Sequence, residues 1–186
     1  MTTPAGGYKD EALASCEMYD LHSDRWSNIS PLNFARDGPG VVSLYNAIYA
    51  AGGYNGKDYK VVERFDPRVG IWERVPNMEQ SRSYGATAVA DGKIFCFGGR
   101  QKDKKVKFVE YYDPRTSKWE SLGDLETEKS DARAISIGST IYLLGGLDKD
   151  DRPLSDVQSY DPLLRDWVQL PKLTSKRRLM AVASVG

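Results

Sequence analysis

The stretch "AAGGYNGKDYKVVERFDPRVGIW", residues Ala50–Trp72, decides the fold of this chain. Two adjacent glycines stand near its start, a Phe-Asp pair begins 13 residues after the first glycine, and a tryptophan follows that aspartate by 6 residues. Glycine inside a strand brings backbone entropy and no side chain to pack, so a pair of them needs a structural reason. The same arrangement occurs three more times along the chain.

The recurrence is regular in spacing and in residue type. The glycine pairs are 46, 46 and 47 residues apart, and they begin at Gly6, Gly52, Gly98 and Gly145. Each pair is followed by an aromatic-Asp dipeptide and then a tryptophan, namely Tyr19-Asp20 and Trp26, Phe65-Asp66 and Trp72, Tyr112-Asp113 and Trp119, and Tyr160-Asp161 and Trp167. The chain has 4 tryptophans, so the repeat accounts for all of them. A repeat of this length indicates an array of similar structural units.

Each unit has the pattern of four short strands. In one unit these are "GATAVAD" (85–91), "KIFCFGG" (93–99), "KFVEYYDP" (107–114) and "KWESLGD" (118–124). Turn signals such as Asp-Gly and Asp-Pro separate them, and no segment has a helical period of useful length. Four strands in about 45 residues are typical of a β-propeller blade.

The blade hypothesis gives each recurrent residue a role. The glycine pair ends the second strand, where a positive φ or a close backbone approach excludes a Cβ atom. The aspartate accepts hydrogen bonds from turn amides two residues later. The tryptophan is large enough to fill the wedge between diverging sheets.

These motifs resemble the kelch repeat over essentially the whole chain, and they are most similar to the propellers of BTB–kelch adaptors. The resemblance implies an all-β kelch β-propeller with four-stranded antiparallel blades and four kelch units, partial or permuted relative to the usual six blades. The single domain is expected to span residues 1–186, divided into a partial blade (1–30), three units (31–77, 78–124 and 125–171) and the first strand of a closing blade (172–186).

The chain ends leave two arrangements open. The last segment, "RLMAVASVG" (178–186), resembles a first strand, whereas the start, "TTPAGGY", resembles the end of a second strand. The two ends would together complete one blade and close a four-bladed ring. Alternatively, the chain is a fragment of a six-bladed ring that is left open or is closed by a second copy. Open blades expose unpaired strand edges, which favours self-association.

Composition limits the partners and the compartment. Lys+Arg and Asp+Glu are both 26, so no overall field recruits nucleic acid or a membrane. No run approaches the ~18 apolar residues of a membrane span, and the start has no signal-peptide core. Two cysteines, Cys16 and Cys96, cannot form a disulfide framework. We therefore expect a cytoplasmic protein, with cytoskeletal or nuclear location as the alternatives.

The predicted binding face follows from strand parity. In antiparallel blades, the loop after the second strand and the loop before the next first strand lie on the same face. One loop type places a residue directly after each glycine pair, a tyrosine twice, then Arg100 and Leu147, and the other places a cation near the start of each inner strand. Such cations, interleaved with tyrosine and serine, suit an acidic peptide or loop. The predicted partner-binding residues are Tyr8, Arg36, Tyr54, Arg82, Ser83, Arg100, Lys129, Ser130, Arg177 and Arg178.

A structural interpretation competes with this one. Each cation at a strand start is also expected to bond nearby carbonyl groups or to pair with a neighbouring aspartate such as Asp37 or Asp131. The resemblance favours binding, because BTB–kelch propellers use the arginine, serine and post-glycine tyrosine of these motifs to hold acidic degrons. It further implies recruitment of a protein substrate to a cullin-3 ubiquitin ligase through separate BTB and BACK domains, which this sequence lacks. An actin-binding cytoskeletal kelch protein is the alternative.

Catalysis is not expected. The chain has a single histidine, His22, which cannot hold the copper of the kelch-like oxidases, the third and weakest alternative. It has no phosphate-cradling loop and no paired His/Cys spacing for zinc. We expect no cofactor, and we expect Cys16 and Cys96 to be buried small hydrophobes rather than redox sensors.

Overall fold

The computed structural model describes residues 5–184, which form sixteen β-strands and no helix. Accordingly, these residues contain no helix with the length and apolarity that crossing a bilayer requires. The strands are β1 (Tyr8–Lys9), β2 (Glu11–Ala12), β3 (Cys16–Asp20), β4 (Arg25–Ile29), β5 (Gly40–Leu44), β6 (Ala47–Ala51), β7 (Val62–Asp66), β8 (Ile71–Val75), β9 (Ala86–Ala90), β10 (Lys93–Gln101), β11 (Lys104–Asp113), β12 (Lys118–Asp124), β13 (Arg133–Ile137), β14 (Thr140–Leu144), β15 (Val157–Asp161) and β16 (Asp166–Leu170).

The strands form three complete blades and one partial blade. Blade 2 is β5-β6-β7-β8, blade 3 is β9-β10-β11-β12, and blade 4 is β13-β14-β15-β16, each paired in sequence order. All pairs are antiparallel. The hairpins β1-β2 and β3-β4 make up partial blade 1. The predicted all-β architecture of four-stranded antiparallel blades is confirmed.

The core lies between neighbouring blades. In β10, Phe95 and Phe97 pack with the apolar residues of blade 4, while Ile94 and Cys96 pack with those of blade 2. Successive side chains of a strand point to opposite faces, so a strand between two blades must be apolar on both. The run "IFCF" is therefore continuously apolar because both faces of β10 are buried. Cys16 is likewise buried, as expected for a structural thiol.

The recurrent aspartate and tryptophan have the roles predicted from the sequence in blades 2 and 3, whereas Trp26 of partial blade 1 is 55% exposed. Asp113 closes its turn, because its Oδ1 accepts a hydrogen bond from the Arg115 amide at 2.9 Å. Trp119 is buried, and its indole N–H donates to the Pro76 carbonyl at 2.8 Å, in the segment that leads out of blade 2. The tryptophan thus holds one blade against the chain of the preceding one.

The glycine pairs allow neighbouring blades to touch through their backbones. A Cβ atom on Gly52 would lie 2.3 Å from the Arg82 carbonyl oxygen, and one on Gly98 would lie 2.2 Å from that of Lys129. Both glycines also have positive φ. The second glycine then bonds the same carbonyl, since the Gly53 amide donates to Arg82 at 2.8 Å. The close approach expected for the glycine pair is confirmed.

The blades form an open arc over the described residues. The inner strand β9 lies between β5 and β13, and within residues 5–184 no strand of blade 4 lies against β1–β4. Residues 178–184 form no strand, because no described strand pairs with them; 1–4 and 185–186 lie outside the described residues. The expected closing strand over 178–186 is therefore absent from its described part. The turn before it nevertheless follows the inter-blade pattern, with the Gly146 amide donating to Arg177 at 2.8 Å.

Candidate functional site

The two predicted loop types meet on one face. In each complete blade, the residue after the inner-strand cation and the residue after the glycine pair exchange two backbone hydrogen bonds. These pairs are Asp37 with Tyr54 (2.9 and 2.8 Å), Ser83 with Arg100 (3.0 and 2.7 Å), and Ser130 with Leu147 (3.1 and 2.8 Å). We call the surface formed by these two loop types the loop face. The two loop types thus lie on the same face of the blades, as strand parity predicts.

Arg36 lies inside blade 2 instead of on this face. Its exposed fraction is 0%, and its Nη2 donates to Glu63 at 2.5 Å. Its Nη1 donates to the carbonyls of Gly52 (2.8 Å) and Val61 (3.0 Å). Burial lowers the pKa of Arg36, and the charge of Glu63 opposes that effect. The guanidinium therefore joins the second and third strands of the blade that follows it.

Arg82 repeats this arrangement in blade 3. It is 2% exposed, pairs with Glu110, and donates to the carbonyls of Gly98 (3.0 Å) and Phe108 (2.9 Å). Glu110 also accepts from the backbone amide of Glu79 at 2.7 Å. The ion pair thus ties the incoming segment of the blade to its third strand.

Lys129 is the corresponding cation of blade 4, and it is buried as well. Its Nζ donates to Asp156 at 3.0 Å. The expected exposed ring is therefore wrong for Arg36, Arg82 and Lys129, because their charges are held by internal carboxylates and strand carbonyls. The structural alternative foresaw the carbonyl bonds but not the carboxylates, which are Glu63, Glu110 and Asp156 in place of Asp37 and Asp131.

The two predicted serines also face inward. Ser83 is 3% exposed and donates its hydroxyl to Asp58 at 2.7 Å. Ser130 is 1% exposed and donates to Asp131 at 2.5 Å. Both hydroxyls fix the loops of the face, so neither is available to a partner in this structure. The predicted residues that the structure leaves at least partly exposed are Tyr8, Tyr54, Arg100, Arg177 and Arg178.

Positive charge gathers where blades 3 and 4 meet. Arg100 pairs with Asp131 at 3.0 Å, yet about a third (32%) of its side chain stays exposed. The pKa of Asp151 is lowered, first by a hydrogen bond from Lys105 and then by the charges of Lys105, Arg100 and Arg178. One carboxylate therefore sits among several cations. We call the exposed arginines of this region the basic end of the loop face: Arg100, Arg177 and Arg178.

Blades 1 to 3 form a different feature on the same face. A cavity of about 420 Å³ is lined by Tyr8, Tyr54 and Tyr84 together with Glu11 and Asp37. We call it the tyrosine pocket. The Tyr84 hydroxyl donates to Asp37 Oδ2, and burial together with that bond raises the pKa of Tyr84. The pocket thus combines aromatic surface with two carboxylates.

Sequence reasoning found only part of this pocket. Tyr8 and Tyr54 were predicted from their position after the glycine pairs, whereas Tyr84 was missed and Asp37 was named only as a possible partner of a strand-start cation. Tyr84 occupies the corner held by Gly38 in the preceding unit, and both have positive φ (53° and 57°). A bulky residue in the left-handed region is uncommon. A tyrosine aligned with a glycine of the preceding unit is therefore the sequence signal that could have identified Tyr84.

The comparisons with known proteins agree with the fold. Residues 35–79, 81–126 and 129–174 each match the sequence profile of the Kelch motif, and together they cover more than half of the chain. The chain belongs to the kelch-repeat family. Its fold matches the kelch propeller of the solved structure of YjhT with a TM-score of 0.77 at 17% identity, over 94% of this chain and 66% of that one.

Similar curated proteins carry kelch repeats within longer chains. Human "Kelch repeat and BTB domain-containing protein 13" is 33% identical over 102 residues, which are 52% of this kelch chain and 22% of that protein. Mouse "Kelch-like protein 9" is 28% identical over 108 residues, 54% of this chain and 18% of that protein. The match therefore spans about a fifth of these relatives. Kelch repeats generally serve as protein-interaction scaffolds, which makes this chain a protein-interaction module.

Proposed function

We propose that this kelch chain recognises a partner protein through its loop face, and that the basic end takes an acidic peptide or loop of that partner. The observation that carries the proposal is the group of exposed cations at the junction of blades 3 and 4. Arg177 and Arg178 form no ion pair within residues 5–184. Guanidinium groups bind carboxylates bidentately, so Arg178, which lies near Asp151 together with Arg100, and its neighbour Arg177 suit an acidic ligand.

The proposed cellular role is substrate recognition for a cullin-3 ubiquitin ligase. The support is the resemblance to BTB–kelch adaptors and the similarity to a human protein whose name combines kelch repeats with a BTB domain. In this proposal the kelch chain supplies the binding step, and other domains supply the connection to the ligase.

The binding step is tested with fluorescein-labelled decapeptides of acidic, neutral and basic composition, followed by anisotropy. Reversal of the basic end, Arg177→Glu with Arg178→Glu, is compared with a matched reversal of two exposed cations near the opposite turns, Arg25→Glu with Lys118→Glu. We expect saturable one-to-one binding of acidic peptides that weakens at least tenfold in the first variant only. Screening by salt should weaken it further.

Two results would overturn the proposal. One is equal affinity of the wild type and the Arg177/Arg178 variant for every acidic peptide. The other is binding of neutral and acidic peptides with the same affinity. Co-sedimentation with actin filaments that survives the reversal would instead support the cytoskeletal alternative.

A further inference from the structure

The tyrosine pocket has chemistry opposite to that of the basic end. We propose that it is a separate binding site for a cationic side chain, the guanidinium or ammonium group of an arginine or lysine on a partner protein. The inference does not depend on the acidic ligand, since it concerns other residues and a ligand of the opposite charge.

The tyrosine pocket exposes aromatic surface. Tyr8 is 67% exposed and Tyr54 is 40% exposed, although both line one cavity. Tyrosine faces attract cations through the ring quadrupole, with about 0.5–1 kcal/mol at exposed sites and more when water is excluded. The molecule already uses this contact nearby, because the Arg100 guanidinium lies 5.1 Å from the centre of the Tyr84 ring. Arg100 occupies Tyr84, so Tyr8 and Tyr54 offer the free faces.

The tyrosine pocket also carries negative charge from two carboxylates. Asp37 and Glu11 line the pocket, and within residues 5–184 neither takes part in an ion pair. Asp37 uses Oδ2 to accept from Tyr84, which leaves its Oδ1 for another donor. Arg36, which precedes Asp37 in the chain, is bound to Glu63, and Arg100, which lies over Tyr84, is bound to Asp131. A ligand cation would therefore supply the charge that the pocket lacks.

The pocket and the basic end are adjacent, with Arg100 lying over Tyr84, but they are built from different residues. The pocket is built from blade 1, blade 2 and the Tyr84 corner of blade 3, whereas the basic end lies at blades 3 and 4. Two aspartates hold the stacked Tyr84 and Arg100 side chains in place. Asp37 accepts a hydrogen bond from the tyrosine hydroxyl, and Asp131 accepts one from the arginine. A partner segment that carries both a basic and an acidic residue would therefore bind in one orientation, with its basic residue in the tyrosine pocket and its acidic residue at the basic end.

The test uses N-acetyl-arginine N-methylamide as the probe, titrated into ¹⁵N-labelled chain and followed by amide chemical shifts. The uncharged analogue is the corresponding citrulline derivative, and the acidic analogue is the glutamate derivative. We expect saturable shifts confined to residues 8–12, 37–38, 53–57 and 84 with arginine. Citrulline should bind at least fivefold more weakly, and glutamate should produce no shifts there. The lysine derivative should bind at the same residues.

Variants separate a built site from general surface attraction. Tyr54→Ala and Asp37→Asn should each weaken arginine binding at least threefold, while Tyr54→Phe should retain it, because the ring and not the hydroxyl provides the attraction. Tyr45→Ala is the matched control, since Tyr45 is also exposed (63%) and lies in the β5–β6 turn, outside the pocket. Asparagine at position 37 keeps an acceptor for the Tyr84 hydroxyl, so this variant should stay folded and its amide spectrum should otherwise match that of the wild type.

Equal shifts with arginine and citrulline would overturn the proposal, as would arginine binding that Tyr54→Ala and Asp37→Asn leave unchanged. Loss of acidic-peptide binding at the basic end would not affect this result. Failure of one site is therefore distinguishable from failure of the other.

Discussion

Arg82 and Arg177 occupy the same position of the repeat and have opposite environments. Arg82 is 2% exposed, whereas Arg177 is exposed. Arg82 is enclosed by the sheet that follows it, where β10 and β11 supply carbonyls and Glu110 supplies the counter-charge. No sheet follows Arg177 within the described residues. The motif therefore specifies a cation, and the next blade decides whether that cation is an internal anchor or a surface charge.

Arg82→Ala should produce the largest effect on this comparison. Removing the guanidinium leaves Glu110 buried without its counter-charge, which costs about 3–5 kcal/mol in the free energy of unfolding. Arg177→Ala removes an exposed side chain and should change that free energy by no more than about 0.5 kcal/mol. Urea unfolding of both variants, followed by tryptophan fluorescence, measures the difference.

A double variant separates lost charge from lost packing. Arg82→Met with Glu110→Leu removes both charges and keeps apolar volume, so it should recover the part of the loss that comes from the unpaired Glu110, while the Glu79 amide and the Gly98 and Phe108 carbonyls still lose their partners. If Arg82→Ala and Arg177→Ala proved equally costly, the distinction between anchor and surface charge would be wrong.

Gly98→Ala should produce the next largest effect, because it disrupts the backbone contact between Gly98 of blade 3 and Lys129 at the start of blade 4. The new Cβ atom would lie 2.2 Å from the Lys129 carbonyl oxygen, so blades 3 and 4 must move apart. Gly56→Ala is the matched control: its φ of +69° resembles the +54° of Gly98, but nothing lies within 4 Å of its Cβ position. Both variants pay the strain of a positive φ, about 1 kcal/mol.

The difference between the two glycine variants isolates the inter-blade contact. We expect Gly98→Ala to lower the free energy of unfolding by about 2 kcal/mol more than Gly56→Ala, a size typical of overpacking. Thermal and urea unfolding of the two variants measure it. Equal losses would mean that the glycine pair is kept for its backbone angles alone.

The repeat made the architecture predictable from sequence. Glycine, aspartate and tryptophan each serve a local geometric need, so their spacing is enough to predict four-stranded blades. Even the doubly apolar run around Cys96 follows from strand parity, since β10 packs on both sides. These features depend on near neighbours in the repeat, which a single sequence displays.

The candidate site was less predictable, because it depends on which partner each charge finds in space. Arg36 and Arg177 are alike in sequence, and they differ in that Arg36 is enclosed by the blade that follows it, which supplies Glu63 and strand carbonyls. The tyrosine pocket needed three blades to assemble, and its Tyr84 stands at a corner that the other units fill with unrelated residues. Motif position thus predicted the face, while burial and pairing selected the residues on it.

Blade 4 offers an intermediate case that sharpens the comparison. Its anchor is Lys129 with Asp156, and Gln158 stands where blades 2 and 3 have Glu63 and Glu110. Lys129→Arg alone buries a guanidinium without the glutamate that pairs with Arg36 and Arg82 in blades 2 and 3. Gln158→Glu alone adds a carboxylate without a guanidinium to bind it. The two substitutions together rebuild the anchor of blades 2 and 3.

The double-mutant cycle of Lys129→Arg and Gln158→Glu should therefore give a favourable coupling of about 1 kcal/mol in the free energy of unfolding. Gln169→Glu is the matched control, because Gln169 pairs with Gln158 across the strands but lies on the exposed outer strand β16. Its cycle with Lys129→Arg should be additive within about 0.5 kcal/mol. Position 158 lies on the third strand, where blades 2 and 3 carry the paired glutamate, whereas position 169 lies on the outer strand. Equal coupling in both cycles would therefore indicate general attraction between charges and would contradict a specific anchor at position 158.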